Sequence, residues 1–301
     1  MPETGKDRLA VAFALATVGL WSTVATAFKI SLRHLDVPQL LLVATLTATV
    51  CLYAVLAARG MAASPWRQTR IAYQRALWLG LLNPLIYYLL LFQAYALLPA
   101  QVAQALNYTW AIALMLLSVP FLGHKLRAGD LAAAGICYAG AVVICFGGKW
   151  VSGNINLAGV ALALASTLIW AGYWIAKTKD PLDPVLSLFL SFLCSCPFVV
   201  LAWWGMSGNT VFPWPGLAGG VYVGLFEMGI TYVLWLQALR LASSPARVST
   251  LIYVSPFLSL WFIHFFLGET IAKTTFMGLI LIVAGLLLQQ WFRRADGRGT
   301  T

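Results

Sequence analysis

The residues able to do chemistry in this chain are few, and most lie in the middle of long apolar runs. Glu227 stands about 12 residues into the run 215–239, which at ~1.5 Å per residue is roughly 18 Å deep, near the midplane of a bilayer. Ionisable groups are costly in hydrocarbon and face a cavity or a partner. Glu227 therefore either hydrogen-bonds the ammonium or another polar group of a ligand, or is neutralised or paired and holds helices together. Asn83 has the mirrored depth in the run 74–98, and the same choice applies. Tyr87 follows one helical turn on, and Leu91 and Ala94 continue that stripe. The corresponding stripe further along is Glu227, Thr231, Leu234 or Trp235, and Ala238. Tyr108 and Trp110 are two residues apart and cannot share one narrow helical face. Either one of them faces lipid, or the cavity is wide enough for both.

Aromatic residues need a second test, because Trp gathers at membrane interfaces whatever the function. Trp66, Trp150, Trp203, Trp204, Trp214 and Trp291 sit near the ends of apolar runs and read as such a belt. Trp21 and Trp170 lie about 12 to 14 residues inside theirs, too deep for a belt, and with Trp174 they are expected to line the cavity. Large rigid rings suit an amphipathic ligand with a ring or an apolar side chain. The candidate binding set is thus Trp21, Asn83, Tyr87, Tyr108, Trp110, Trp170, Trp174, Glu227 and Tyr253.

Other chemistries lack their residues. The five cysteines (Cys51, Cys137, Cys145, Cys194, Cys196) lie in apolar segments at no metal or disulfide spacing and read as small buried packing residues. There is no Gly-Lys-Ser/Thr phosphate loop, and no acid pairs with a His in a ligand-spaced cluster. Neither a metal nor an organic cofactor is implied, and an enzyme acting on lipid is disfavoured. His264 and His124 are expected to be structural or interfacial.

The elements that must hold these residues are membrane helices. Of 301 residues 61% are hydrophobic and 9% charged, against roughly 25% charged in soluble domains. Ten runs are long enough to span: 9–32, 38–58, 74–98, 100–122, 129–148, 156–177, 184–204, 215–239, 245–267 and 272–292. The 98–100 link makes the third and fourth a tight antiparallel hairpin. With the N-terminus cytoplasmic, fifteen Lys and Arg fall in cytoplasmic segments against three opposite, with Lys29 near the outer end of the first span. Both termini are therefore expected in the cytoplasm of a bacterial-type inner membrane. The net charge of +10 sits in these short loops, which suits topology and not a nucleic-acid face. The first run carries no cleavage site of a signal peptide.

The chain also repeats itself. Ile86, Tyr88, Leu90, Gln93 and Ala94 recur 144 residues later as Ile230, Tyr232, Leu234, Gln237 and Ala238. At spacing 145, Tyr108 falls on Tyr253, Gly123 on Gly268 and Ala139-Gly140 on Ala284-Gly285; at 149, Trp21 falls on Trp170. Such self-similarity marks a duplicated unit. The units are 1–148 and 149–294, followed by a short polar, disordered tail at 295–301. Five spans per unit is an odd number, so the second copy is inverted, a plan shared by secondary transporters. Gly216, Gly220 and Gly224, with Gly219 beside them, form a small-residue face read as tight helix packing.

These features resemble the EamA repeats of the drug/metabolite transporter superfamily. The second copy has Ser255-Pro256-Phe257 and Leu267-Gly268-Glu269, whereas the first has Ala111 for that Pro and His124 for that Glu. The run Asn107-Tyr108-Thr109-Trp110 and the aromatic crowding are most similar to YddG-type aromatic amino acid exporters. The resemblance implies an all-α integral membrane protein, two inverted five-helix repeats around a central cavity. It implies export of amino acids, aromatic ones included, by alternating access without ATP. Broad export of drugs or lipophilic cations is the alternative. A phosphorylated substrate would want Arg or Lys at the midplane, and none of the nineteen is there. The expected partners are small amphipathic solutes and the lipid bilayer, with the oligomeric state open and a monomer among the options.

Overall fold

In a computed structural model the described residues are 5–123, 128–146, 156–244, 248 and 250–297. His124, Lys125, Arg127, Lys149, Trp150, Arg247, Arg298 and the end of the polar tail lie outside them. Ten described helices are long and apolar enough to cross a membrane. They are α1 (Gly5–Ser31), α2 (Val37–Ala58), α3 (Arg70–Leu97), α4 (Ala100–Leu122), α5 (Ala128–Cys145), α6 (Leu157–Lys177), α7 (Pro184–Met206), α8 (Trp214–Leu241), α9 (Thr250–Leu267) and α10 (Lys273–Phe292). No strand occurs among the described residues.

Capping chemistry sets several starts. Asp36 accepts from the Gln39 amide while the Gln39 side chain accepts from the Asp36 amide, a capping box that opens α2. Asp183 accepts from the Val185 and Leu186 amides ahead of Pro184 and opens α7. Thr69 and Asn156 do the same for α3 and α6.

The packing has the symmetry of the repeat. Helix α1 lies against α8 and α9, and its counterpart α6 lies against α3 and α4. Helix α2 packs on α7 and α8, α7 on α2 and α3, and α5 along α10. The closest approaches obey the same rule. A Cβ on Gly80 of α3 would stand 2.2 Å from the Ser191 carbonyl of α7, and one on Gly224 of α8 would stand 2.5 Å from the Ala44 carbonyl of α2. Gly216 and Gly220 meet Leu35 and Val43 in the same way, so the small-residue face is a packing face.

Three of the described helices are broken within their length and a fourth starts irregularly, which the apolar runs do not foretell. In α3 a wide turn over Leu81–Ile86 contains Asn83 at φ −142°, ψ 114°, followed by a cis peptide to Pro84. Helix α4 breaks at Tyr108–Thr109, α8 at Glu227–Gly229, and α9 begins as a 3-10 turn, Thr250–Val254. Non-helical backbone is tolerated at membrane depth where it lines a cavity or is buried in protein. The cysteine expectation needs one correction. Cys137 and Cys145 are buried, but Cys51, Cys194 and Cys196 are half-buried, because their helix faces meet only part of a neighbour. Trp66, Trp204, Trp214 and Trp291 are exposed at span ends, as a belt requires.

Candidate functional site

The breaks in α4, α8 and α9 open onto one cavity of about 320 Å³, walled also by α1, α3, α6 and α10. Eight of the nine candidate residues line it: Trp21, Tyr87, Tyr108, Trp110, Trp170, Trp174, Glu227 and Tyr253. Regular α-helix is interrupted at Tyr108–Thr109, and both Tyr108 and Trp110 line the cavity, so the single-face conflict disappears.

Asn83 is the exception. The wide turn takes it off the Tyr87 stripe, since four-residue stacking holds only for regular α-helix. It is 1% exposed, does not line the cavity, and lies beside the Tyr173 hydroxyl of α6. Its Oδ1 is buried without a partner. Asn83 supports the wall from behind.

Glu227 sits where α8 stops being helical, and two contacts of its own, with a third at the neighbouring Phe226, fix the break. Its Oε1 accepts the Tyr88 hydroxyl at 3.0 Å. Its carbonyl accepts Trp21 Nε1 at 3.5 Å. The Phe226 carbonyl released by the break accepts the Thr231 hydroxyl at 2.6 Å, so the local polar groups stay satisfied. Gly229 closes the break where a Cβ would lie 2.9 Å from the Gly224 carbonyl and 3.1 Å from Cys51 Sγ. Among the cavity-lining residues Glu227 is the only ionisable acid or base other than tyrosine.

The wall around it is aromatic. Trp170 is stacked on Tyr87 at 4.5 Å and Tyr173 at 5.6 Å, and meets Trp174, Tyr232 and Trp110 edgewise at 5.8, 6.3 and 6.5 Å. Its repeat counterpart Trp21 touches Tyr232 at 5.5 Å and Trp235 at 5.9 Å. Neutral polar groups punctuate the rings. Asn107 exchanges hydrogen bonds with the Tyr87 hydroxyl at 3.4 to 3.5 Å and donates to Ser166 at 3.3 Å. Gln290 donates to the Tyr253 hydroxyl at 2.7 Å, and the Ser259 hydroxyl donates to Gln104 at 2.9 Å.

Several of these residues escape a sequence reading. Tyr232 is visible only as the repeat partner of Tyr88, and Gln290 only as an amide in an apolar run. Phe28 and Tyr95 carry no signal that separates them from ordinary core. They close the cavity toward the face opposite the termini: each is 3% exposed and their rings meet at 5.1 Å. Toward the face of the termini, Trp174, Trp235, Tyr253 and Gln290 are only half-buried.

Comparison with known proteins places this architecture. A solved protein crystal structure aligns with 95% of this chain and 98% of its own length, with a TM-score of 0.67 and 22% identity, a likeness of fold. No curated protein matches the chain. The sequence profile of the EamA-like transporter family matches twice, over residues 8–146 and 157–289, once on each five-helix half. Two profile matches over nearly the whole chain, on ten membrane helices around one cavity, make it a member of the EamA-like transporter family.

Proposed function

We propose that this transporter exports amino acids, aromatic ones included, by alternating access of the central cavity. The observation that carries the reading is the lone carboxylate of Glu227 set in an aromatic wall with neutral amides nearby. Glu227 receives the ammonium group in a charge-assisted hydrogen bond. The rings of Trp170, Trp110 and Trp21 take the side chain, and the amides of Asn107 and Gln290 offer donors to the carboxylate. Among the described residues no Lys or Arg lines the cavity, which disfavours a phosphorylated solute. The excess of Lys and Arg in one set of loops supports cytoplasmic termini in an inner membrane, with the cavity accessible from that side. The same carboxylate among rings also favours lipophilic cations through cation–π attraction, which is the second reading.

The test is uptake of labelled phenylalanine and tryptophan into liposomes holding the purified protein. Saturable uptake that is lost in Glu227→Gln and in Trp110→Ala supports the reading. Uptake no higher than in empty liposomes removes the amino acid assignment, and saturable uptake of a lipophilic cation in its place selects the second reading.

A further inference from the structure

A second pocket of about 310 Å³ lies directly beyond the closed end of the central cavity. Its walls are Lys29, Leu32 and Arg33 of α1 and its outer end, Ala96 of α3, and Leu267 and Glu269 at the α9–α10 turn. Lys29 and Ala96 are the residues next to Phe28 and Tyr95, whose touching rings line the end of the central cavity nearer the second pocket. Phe92, fully buried and 4.9 Å from Phe28, backs these rings.

The two pockets differ in charge. Glu269 is already committed: its carboxylate accepts the Ala100 amide at 2.8 Å, and the Gln101 amide and Nε2 at 3.3 Å each, capping the start of α4. Its carbonyl accepts a hydrogen bond from His264 Nδ1 at 2.9 Å, which holds the turn. Among the described residues the side chains of Lys29 and Arg33 make no hydrogen bond or close ion pair, although the Glu269 carboxylate acts on Lys29 through space. The outer pocket therefore presents two cations against one carboxylate that is hydrogen-bonded to the start of α4, and the central one a single carboxylate. Lys29 lies eight residues beyond Trp21, which bonds the Glu227 carbonyl, so the sites are roughly 12 Å apart along α1 at ~1.5 Å per residue. One small zwitterion cannot bridge them and must step from one to the other.

We propose that the Lys29–Arg33 pocket is a second solute site that takes a carboxylate, with the Phe28–Tyr95 layer as the partition between it and the Glu227 site. The identity of the solute as an amino acid rests on the proposed function; the anion site itself does not. The pocket is walled by α1, α3 and the α9–α10 turn, elements that also bound the cavity, which favours a solute shared with the cavity over a lipid headgroup.

The test separates the two charges with two half-substrates. Benzoate carries a ring and a carboxylate, and benzylamine a ring and an ammonium. Each is titrated calorimetrically into the full chain in phosphatidylcholine nanodiscs. Benzoate is expected to bind the native protein and to weaken about tenfold or more in Lys29→Gln/Arg33→Gln. Its affinity should survive in the charge-keeping Lys29→Arg/Arg33→Lys and in Glu227→Gln, and should fall with added salt. Thermal unfolding of each variant shows that it is folded. Benzylamine is expected to be insensitive to the Lys29 and Arg33 changes and to weaken in Glu227→Gln. Absence of benzoate binding to the native protein, or equal binding to the doubly neutralised variant, overturns the anion site. Loss of benzoate affinity when phosphatidylglycerol is added gives the pocket to a lipid headgroup and overturns the solute assignment. Failure of benzylamine alone strikes the central reading and leaves the outer site standing.

Discussion

Helices α3 and α8 are repeat counterparts that break at the same place with different chemistry. In α8 the break is Glu227, Met228 and Gly229, and it turns a carboxylate toward the cavity. In α3 it is Asn83 and Pro84, and the amide is buried off the cavity lining, beside Tyr173. The tyrosines around them divide in the same way. Tyr88 of the first repeat donates to Glu227 of the second, while its counterpart Tyr232 stands as a ring against Trp21 and Trp170. Duplication supplies two equal frames. Divergence makes one break the charged group of the cavity and the other a support for the aromatic wall. A cavity with one charge can orient a solute, whereas two symmetric charges would leave two equivalent poses.

The tryptophans should show the largest imbalance. Trp170 is 8% exposed and contacts five rings, so Trp170→Ala should cost about 3–5 kcal/mol of stability. Trp21 is half-buried with two ring contacts, and Trp21→Ala should cost visibly less. Thermal unfolding of both variants decides it, and equal losses would restore the symmetry denied here.

The breaks come next. Glu227→Gln keeps an acceptor for Tyr88 but loses the charge, and should reduce phenylalanine transport about tenfold to a hundredfold, the worth of a hydrogen bond to a charged group. Asn83→Ala should leave transport within a few-fold and instead lower stability by about 1 kcal/mol, through the lost packing of a fully buried side chain beside Tyr173. A transport defect in Asn83→Ala as deep as that in Glu227→Gln would mean that both breaks serve the solute.

Much of this was legible from residues alone, and the misses have physical causes. The ten helices follow from apolar runs, since a bilayer demands length and composition and little else. The repeat, and with it the pairing of Asn83 with Glu227, follows from a fixed spacing. Depth was legible for all nine candidates because a helix rises steadily. Direction was not legible for Asn83: facing rules assume regular α-helix, and the wide turn at Leu81–Ile86 breaks that assumption. The same kind of break, at Tyr108–Thr109, rescued Tyr108 and Trp110 together. Lining residues such as Phe28 and Gln104 are set by which helices meet, which spacing within one helix does not encode.

Where the repeats remain symmetric, mutations should be symmetric too. Gly80→Ala and Gly224→Ala each drive a methyl into a backbone carbonyl of the partner helix, and each should cost about 1–3 kcal/mol. Gly19→Ala and Gly172→Ala, in helices with open space around the added methyl, should be neutral or stabilising. Unfolding midpoints of the four variants test the pseudo-two-fold packing directly. Unequal losses at Gly80 and Gly224 would place the helix contacts of one repeat under looser control than those of the other.

The smallest effect lies in the turns that open α2 and α7. Asp36 and Asp183 cap them alike, but only the second turn adds a charged cluster. There Asp180, its side chain 3% exposed, lies 3.4 Å from Lys177 and 3.7 Å from the half-exposed Arg75, and accepts the Ser187 hydroxyl. Burial alone would raise the Asp180 carboxyl, but the Ser187 hydroxyl, Lys177 and the Leu182 amide outweigh it and hold it below the usual carboxylate range. A group whose folded value is depressed contributes stability above its unfolded value, near pH ~4 for Asp, and loses it as pH falls through the folded value. Asp180→Asn should therefore lower the unfolding midpoint at neutral pH by the equivalent of about 1 kcal/mol, and the two proteins should converge below about pH 4. A difference that persists in acid would assign the effect to the lost shape of the turn and not to its charge. The face that carries the termini would then be held no more electrostatically than the face that carries Asp36.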